Sequence, residues 1–258
     1  MIGGMVRCMT TPSSKVTARS IADDLRDQIR SGSLAPGQAL PTTKELAENY
    51  GVTMKTVSSG VDLLKSEGLV VGERGGRRRV RADRPITWNL TKFERGQRRD
   101  TTAMDDWSTS IKEAGREPEQ HVKVFSKDAG TEVAGWLSLM PGAEVVVRER
   151  SRLVDGRPFQ LSTSYFPGTI ANGTPLTEPG DVSMPGGILK AIGHPQVRVR
   201  DEITVRMPTP EETDRLDLPP GTPVAQHVRI GYGEQGPIRV MVTIAPGDRH
   251  VMVYELEV

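Results

Sequence analysis

A single cysteine, Cys8, in 258 residues excludes an internal disulfide framework and any cysteine-based zinc site, and makes a reducing compartment the expected setting. Aromatic residues are scarce at 4%, which argues against a surface that grips nucleic acid by stacking on its bases. No run of about 18 apolar residues offers a membrane span. The opening Met1-Ile2-Gly3-Gly4-Met5-Val6-Arg7-Cys8 lacks the apolar core of a signal peptide, so a cytoplasmic protein with no membrane partner is expected. His121, His194, His227 and His250 are scattered without ligand spacing, and no metal or other cofactor is expected. No nucleophile–histidine–acid set and no glycine-rich phosphate loop stands out, so an enzyme is not expected.

What is present divides in two. The chain is long enough for two domains, each with its own core. A formal charge of +1 hides a segregation: residues 13–82 hold 12 Lys/Arg against 8 Asp/Glu, and residues 83–258 hold 21 against 25. A small basic piece is the footprint of phosphate binding, and the larger piece has no such excess. The expected division is a flexible arm at 1–14, a DNA-binding domain at 15–82, a linker at 83–103 and a second domain at 104–258.

Within the basic piece, Ile21, Leu25 and Ile29 recur every four positions and predict a helix that ends at Gly32. Thr42-Thr43-Lys44-Glu45 is a capping box that starts a second helix behind Pro41 and ends it at Gly51. Thr53 caps a third, on which Val57, Val61 and Leu64 form an apolar stripe suited to Leu46 and Ala47. Its other face carries Met54, Lys55, Ser58, Ser59, Asp62 and Lys65. Short polar and basic side chains near a helix N-terminus suit major-groove reading. Leu69-Val70-Val71, a turn at Arg74-Gly75-Gly76 and Arg77-Arg78-Arg79-Val80-Arg81 predict a basic β-hairpin. Helix, helix-turn-helix, basic hairpin is the order of a winged helix.

Here Ile29-Arg30-Ser31-Gly32, Leu34-Ala35-Pro36-Gly37, Lys44-Glu45-Leu46-Ala47, Tyr50-Gly51-Val52 and Leu64-Lys65-Ser66-Glu67-Gly68-Leu69-Val70 resemble the N-terminal domain of the GntR family of bacterial transcription regulators. The resemblance implies DNA contacts at Lys44, Thr53, Met54, Lys55, Thr56, Ser58, Gly75, Gly76, Arg77 and Arg78. Thr42-Thr43-Lys44 stands where the family usually has serine-glutamate-arginine, and Met54 and Ser58 stand where it usually has arginines.

From His121 onward the pattern changes to strands. Glu144–Val154 predicts a long strand turned at Asp155-Gly156 into Gln160–Phe166, with further strands at Val197–Met207, Pro223–Gly231, Ile238–Ala245 and near Val251–Glu257. Helices are expected over Met104–Gly115, Thr131–Leu137, Gly187–Gly193 and Glu211–Leu216, and an irregular linker over residues 83–103. The order of these pieces, with Asp155-Gly156-Arg157-Pro158, Ser164-Tyr165-Phe166-Pro167 and Leu218-Pro219-Pro220-Gly221, is similar to the UTRA domain of HutC-type GntR regulators, of chorismate-lyase-like fold. The expected class is therefore α+β: an N-terminal winged helix-turn-helix domain and a C-terminal antiparallel β-sheet domain of UTRA type.

Strand alternation sends Arg148, Arg150 and Arg152 to one face, where three like charges call for an anion or for carboxylates. Pairing with Glu149, Asp201 or Glu202 on a solvated face is the alternative. The UTRA resemblance implies effector binding at Arg150 and Arg152, assisted by Arg206, and Gly187 at a helix start could add N–H donors. Ser162 and Arg239 replace carboxylates of sugar-phosphate-binding relatives, which points to an anionic effector. The expected protein is a homodimeric repressor of a pseudo-palindromic double-stranded DNA operator, controlled by a small effector. A chorismate-lyase-like enzyme with an appended DNA-binding domain, or a constitutive DNA-binding protein with a purely dimerising C-terminal domain, remain as alternatives.

Overall fold

The computed structural model describes residues 16–72, 77–81, 85–91, 105–182, 184 and 186–256. The chain divides into two compact units, Met1–Ala82 and Asp83–Val258.

The first unit holds α1 (Ala18–Ser31), α2 (Thr43–Tyr50) and α3 (Met54–Ser66), then the short antiparallel strands β1 (Val70–Gly72) and β2 (Arg78–Val80). Each helix begins at a threonine whose side chain accepts a backbone N–H, and at Thr17 and Thr42 the third residue reciprocates. Gly32 and Gly51 adopt the left-handed conformation that ends α1 and α2. Ile21 and Leu25 of α1, Leu46 of α2 and Val57, Val61 and Leu64 of α3 meet Val70 and Val80 of the hairpin in one core. Gly60 lets α1 and α3 touch: a Cβ there would lie 2.7 Å from the Ala18 carbonyl oxygen. Arg26 ties α1 to the end of α3 through Glu67 at 2.6 and 2.8 Å.

The second unit opens with β3 (Ile86–Asn89), then α4 (Asp106–Glu113), β4 (Pro118–Asp128), α5 (Thr131–Leu137), β5 (Glu144–Val154), β6 (Arg157–Pro167), α6 (Gly168–Ala171), α7 (Ile188–Ala191), β7 (Arg198–Arg206), α8 (Pro210–Leu216), β8 (Val224–Gly233), β9 (Gly236–Pro246) and β10 (His250–Val253). Six strands make one antiparallel sheet in the order β4-β5-β6-β9-β8-β7. One face packs Val145, Val147, Val228, Ile230 and Val240 against Val133, Ala134 and Leu137 of α5. On the other face Val146 joins Phe166, Leu176 and Leu189 at one end of β5, and Val154 joins Trp107, Ile111 and Phe159 at the other. Polar residues fill the stretch between.

The expected linker over 83–103 is in part a strand: Ile86–Asn89 pairs in parallel with His250–Val253. The helix expected over Met104–Gly115 spans Asp106–Glu113, with Asp105 as its cap and Met104 outside the described residues. The one expected over Gly187–Gly193 is the four-residue α7, and the last strand is His250–Val253 rather than Val251–Glu257. Among the described residues no helix is long and apolar enough to cross a membrane. None of their His, Cys, Asp and Glu side chains cluster as a metal site.

Candidate nucleic-acid interface and anion site

The apolar stripe of α3 is consumed by the core, so its opposite side must face solvent. Met54, Lys55, Ser59 and Asp62 are exposed, and Ser58 is partly so. Thr53, also exposed, caps the helix through the Thr56 N–H, which leaves these first-turn side chains short and forward. Lys44 is exposed in the first turn of α2. In β2 alternation turns Arg78 and Val80 inward, and the Arg78 guanidinium donates to Thr43 Oγ1 and Ser58 Oγ, both at 3.3 Å. Arg78 thus stitches the hairpin to both helices of the turn motif. Arg77 remains exposed, and its charge helps Thr42 hold the Glu45 carboxyl below its ordinary pKa. Gly75 and Gly76, expected at the hairpin tip, lie outside the described residues.

In the second unit, β5 carries Arg148, Arg150 and Arg152 on one face, and they part company. Arg148 is fully buried and gives its N–H groups to the carbonyls of Leu176, Glu178 and Gly180, holding that loop on the sheet. Arg150 has Asp181 of the same loop at 3.8 Å. Arg152 has Asp105, the α4 cap, at 3.5 Å, and lies over the Trp107 ring at 4.9 Å from its centre. Both separations exceed the about 2.7–2.9 Å of a firm charge-assisted hydrogen bond. Burial pushes Arg152 down to about 10, Asp105 opposing and Arg150 and Arg239 reinforcing the shift. Burial pushes Asp105 upward, but Arg152 and the Ser108 N–H outweigh it and keep the carboxyl ionised. Arg152 Nε and Trp107 Nε1, both buried donors, have no hydrogen-bond partner among the described residues. Buried donors can be met by any acceptor oxygen, and beside a guanidinium one that carries negative charge is held most strongly.

Residues 113–251 match the UTRA domain, and residues 17–80 match the family described as bacterial regulatory proteins, gntR family. The chain belongs to the GntR regulators that carry a UTRA domain. An HTH-type transcriptional regulator of Streptomyces coelicolor is 28% identical over 248 residues, 93% of this chain and 92% of that one. The transcriptional repressor NagR of Bacillus subtilis is 25% identical over 240 residues, 92% and 93% of the two chains. A solved GntR-family regulator, 26% identical, superposes with a TM-score of 0.62 over 93% of this chain and 97% of its own.

Against this GntR–UTRA frame the remaining expected site residues can be placed. Ser162 is buried opposite Arg150 and shares a hydrogen bond with Thr243 at 3.2 Å. Arg239 projects on the same face, near enough for its charge to act on Arg152. Arg206 does not join them. It sits four strands from Arg150, roughly 19 Å at the usual strand spacing, on the opposite face, clasped by Glu212 at 2.7 Å and Gln226 at 2.8 and 3.0 Å. Gly187 is no free donor either, since its N–H is given to the Met184 carbonyl at 2.8 Å. Nor do the arginines pair with Asp201 or Glu202. Asp201 takes Arg229 at 2.6 and 2.7 Å, His227 and Tyr254, and Glu202 takes Arg200.

Asp105, Trp107 and Asp181 were missed. Asp105 carries a local signal, an aspartate three residues before Ser108 at a helix start, but nothing local reveals that its second oxygen faces Arg152.

Proposed function

We propose that the protein is a homodimeric cytoplasmic repressor that binds a two-fold symmetric operator through its first unit and leaves it when a small anion occupies the Arg150–Arg152 site. The observation that carries the DNA reading is the outward side of α3, with Lys55 and Ser59 presented to solvent and Arg78 fixing the basic hairpin alongside. A helix N-terminus with short side chains reaches base edges, and a basic hairpin beside it reaches phosphates. The repressor reading is supported by similarity to NagR of Bacillus subtilis, a transcriptional repressor by name.

Control follows from the pair at 3.5 Å between Arg152 and Asp105. An anion that takes the Arg152 fork, its Nε and Trp107 Nε1 displaces the Asp105 carboxylate. Asp105 caps α4, the first helix after the segment arriving from the DNA-binding unit, so occupancy is felt at the start of α4. Ser162 and Arg239 in the same face add a hydroxyl and a cation rather than carboxylates, which suits an anion better than a neutral sugar.

The test is selection of bound duplexes from a random pool by the full chain, followed by titration of variants. A two-fold symmetric consensus and salt-sensitive binding are expected. Arg77→Ala weakens binding to all sequences and lowers the salt slope by about one. Lys55→Ala changes which sequences are preferred. Absence of any enriched sequence contradicts the reading.

A further inference from the structure

The outward side of α3 is the side read above as meeting base edges, yet the helix contains no arginine, the residue whose planar fork fits the two acceptors of guanine. Met54, 60% exposed in its first turn, offers a base no N–H or O–H group. A guanidinium reaches the same place from the hairpin. Arg78 of β2 sets its two terminal nitrogens on Thr43 Oγ1, at the first residue of α2, and on Ser58 Oγ of α3, each at 3.3 Å. Its backbone is fixed on both sides: Arg78 stands opposite Gly72 of β1, and its carbonyl accepts the Leu40 N–H at 2.8 Å. A helical side chain leans back toward the helix start, so a group held by Ser58 lies over the turn that carries Met54 and Lys55.

This contact does not satisfy the guanidinium. Both acceptors are neutral hydroxyls, and 3.3 Å is longer than the about 2.7–3.2 Å of an ordinary N–H···O bond. Among the described residues no carboxylate pairs with Arg78, and a guanidinium has more N–H groups than two bonds use. Thr43 and Ser58 are also two of the positions at which the chain departs from the GntR pattern, which has glutamate and arginine there. Two hydroxyls in place of two long charged side chains leave room for an arginine from the hairpin.

We propose that Arg78 reads a guanine of the operator through O6 and N7 in the major groove, with Thr43 and Ser58 as its positioning residues. The reading guanidinium then comes from β2 and not from α3. This deepens the DNA-binding reading given above and rests on it. A phosphate contact would be served by any cation, and a tie between hairpin and helices would show in stability. Neither depends on the fork, whereas paired acceptors on one base do.

The experiment selects duplexes from a random pool with the native full chain, with Arg78→Lys and with Thr43→Val plus Ser58→Ala, then measures affinity for the selected site with each base pair in turn. The native chain is expected to prefer G·C at one position of each half-site, other pairs there binding about tenfold to a hundredfold more weakly. Arg78→Lys should keep the salt slope and the rest of the consensus, but bind all pairs at that position within about threefold. 7-Deazaguanine at that position, which lacks the N7 acceptor, should cost the native chain about tenfold and Arg78→Lys nothing. The hydroxyl double variant keeps the arginine and should lose most of the preference. If it does not fold, the lysine variant and 7-deazaguanine decide. A double variant with full preference overturns the positioning by Thr43 and Ser58. An Arg78→Lys chain that selects the native consensus, or a native chain indifferent to 7-deazaguanine throughout the site, overturns the base reading and leaves DNA binding standing. A native chain that enriches no sequence overturns both.

Discussion

Arg148, Arg150 and Arg152 share a strand and a face, yet burial and neighbours give them different work. Arg148 gives its terminal N–H groups to three carbonyls, whereas Arg152 meets a carboxylate at 3.5 Å; the Nε of each has no partner among the described residues. Alternation in the sequence places the row, but what each guanidinium meets depends on Asp105 and on the loop at Leu176–Asp181, which strand periodicity does not reach. His250 is a second case. Read from sequence as an unremarkable histidine, it is buried between the Pro246 carbonyl at 2.9 Å and the Gln160 side-chain amide at 3.1 Å. Burial pushes it down to about 4, with Arg249 adding to the shift and the Pro246 carbonyl resisting. The unfolded ring protonates near about 6.5, so the folded state holds fewer protons below that value. Stability from this group is whole above pH 6.5 and is lost as pH falls toward 4, about 3 kcal/mol in all. Urea unfolding should show the native midpoint dropping between pH 7 and 4.5, with a shallower drop in His250→Leu. Equal slopes in the two proteins would remove His250 from the account.

At the scale of elements, the first unit was the more legible because its signals are local. The capping box at Thr42 and Glu45, the glycine at 51 and the Val57–Val61–Leu64 stripe each lie within one helix, and each helix falls where they place it. Strand β3 was not legible. Its four residues sit in polar surroundings, and its partner β10 is far away in the chain. Arg206 fails for a related reason: alternation says which residues of one strand share a face, but not how many strands separate them from another. Gly60 lies inside the third helix with no local sign that its missing Cβ is what lets α1 touch α3. Gly60→Ala should push the helices apart and destabilise the first unit by about 1–3 kcal/mol. Thermal unfolding of this variant beside the exposed neighbour Ser59→Ala checks it. A Gly60→Ala protein that melts with the native chain would mean the α1–α3 contact is slack.

For the whole molecule, the charge segregation between residues 13–82 and 83–258 anticipated a chain with one unit for phosphates and another for something smaller. Thermodynamics links the two proposed functions: a ligand that favours the state unable to hold DNA must be opposed by DNA to the same extent. Thermal shift against inorganic phosphate, sugar phosphates and mono- and dicarboxylates identifies a probe, because a ligand bound only to the native state raises the midpoint. The decisive measurement is the dissociation constant for the selected operator with and without that probe, in the native chain and in Arg152→Met. The native chain should lose affinity for DNA when the probe is present, and Arg152→Met should hold DNA equally in both conditions. A probe that raises the melting midpoint of the native chain yet leaves its DNA affinity unchanged would contradict control through this site.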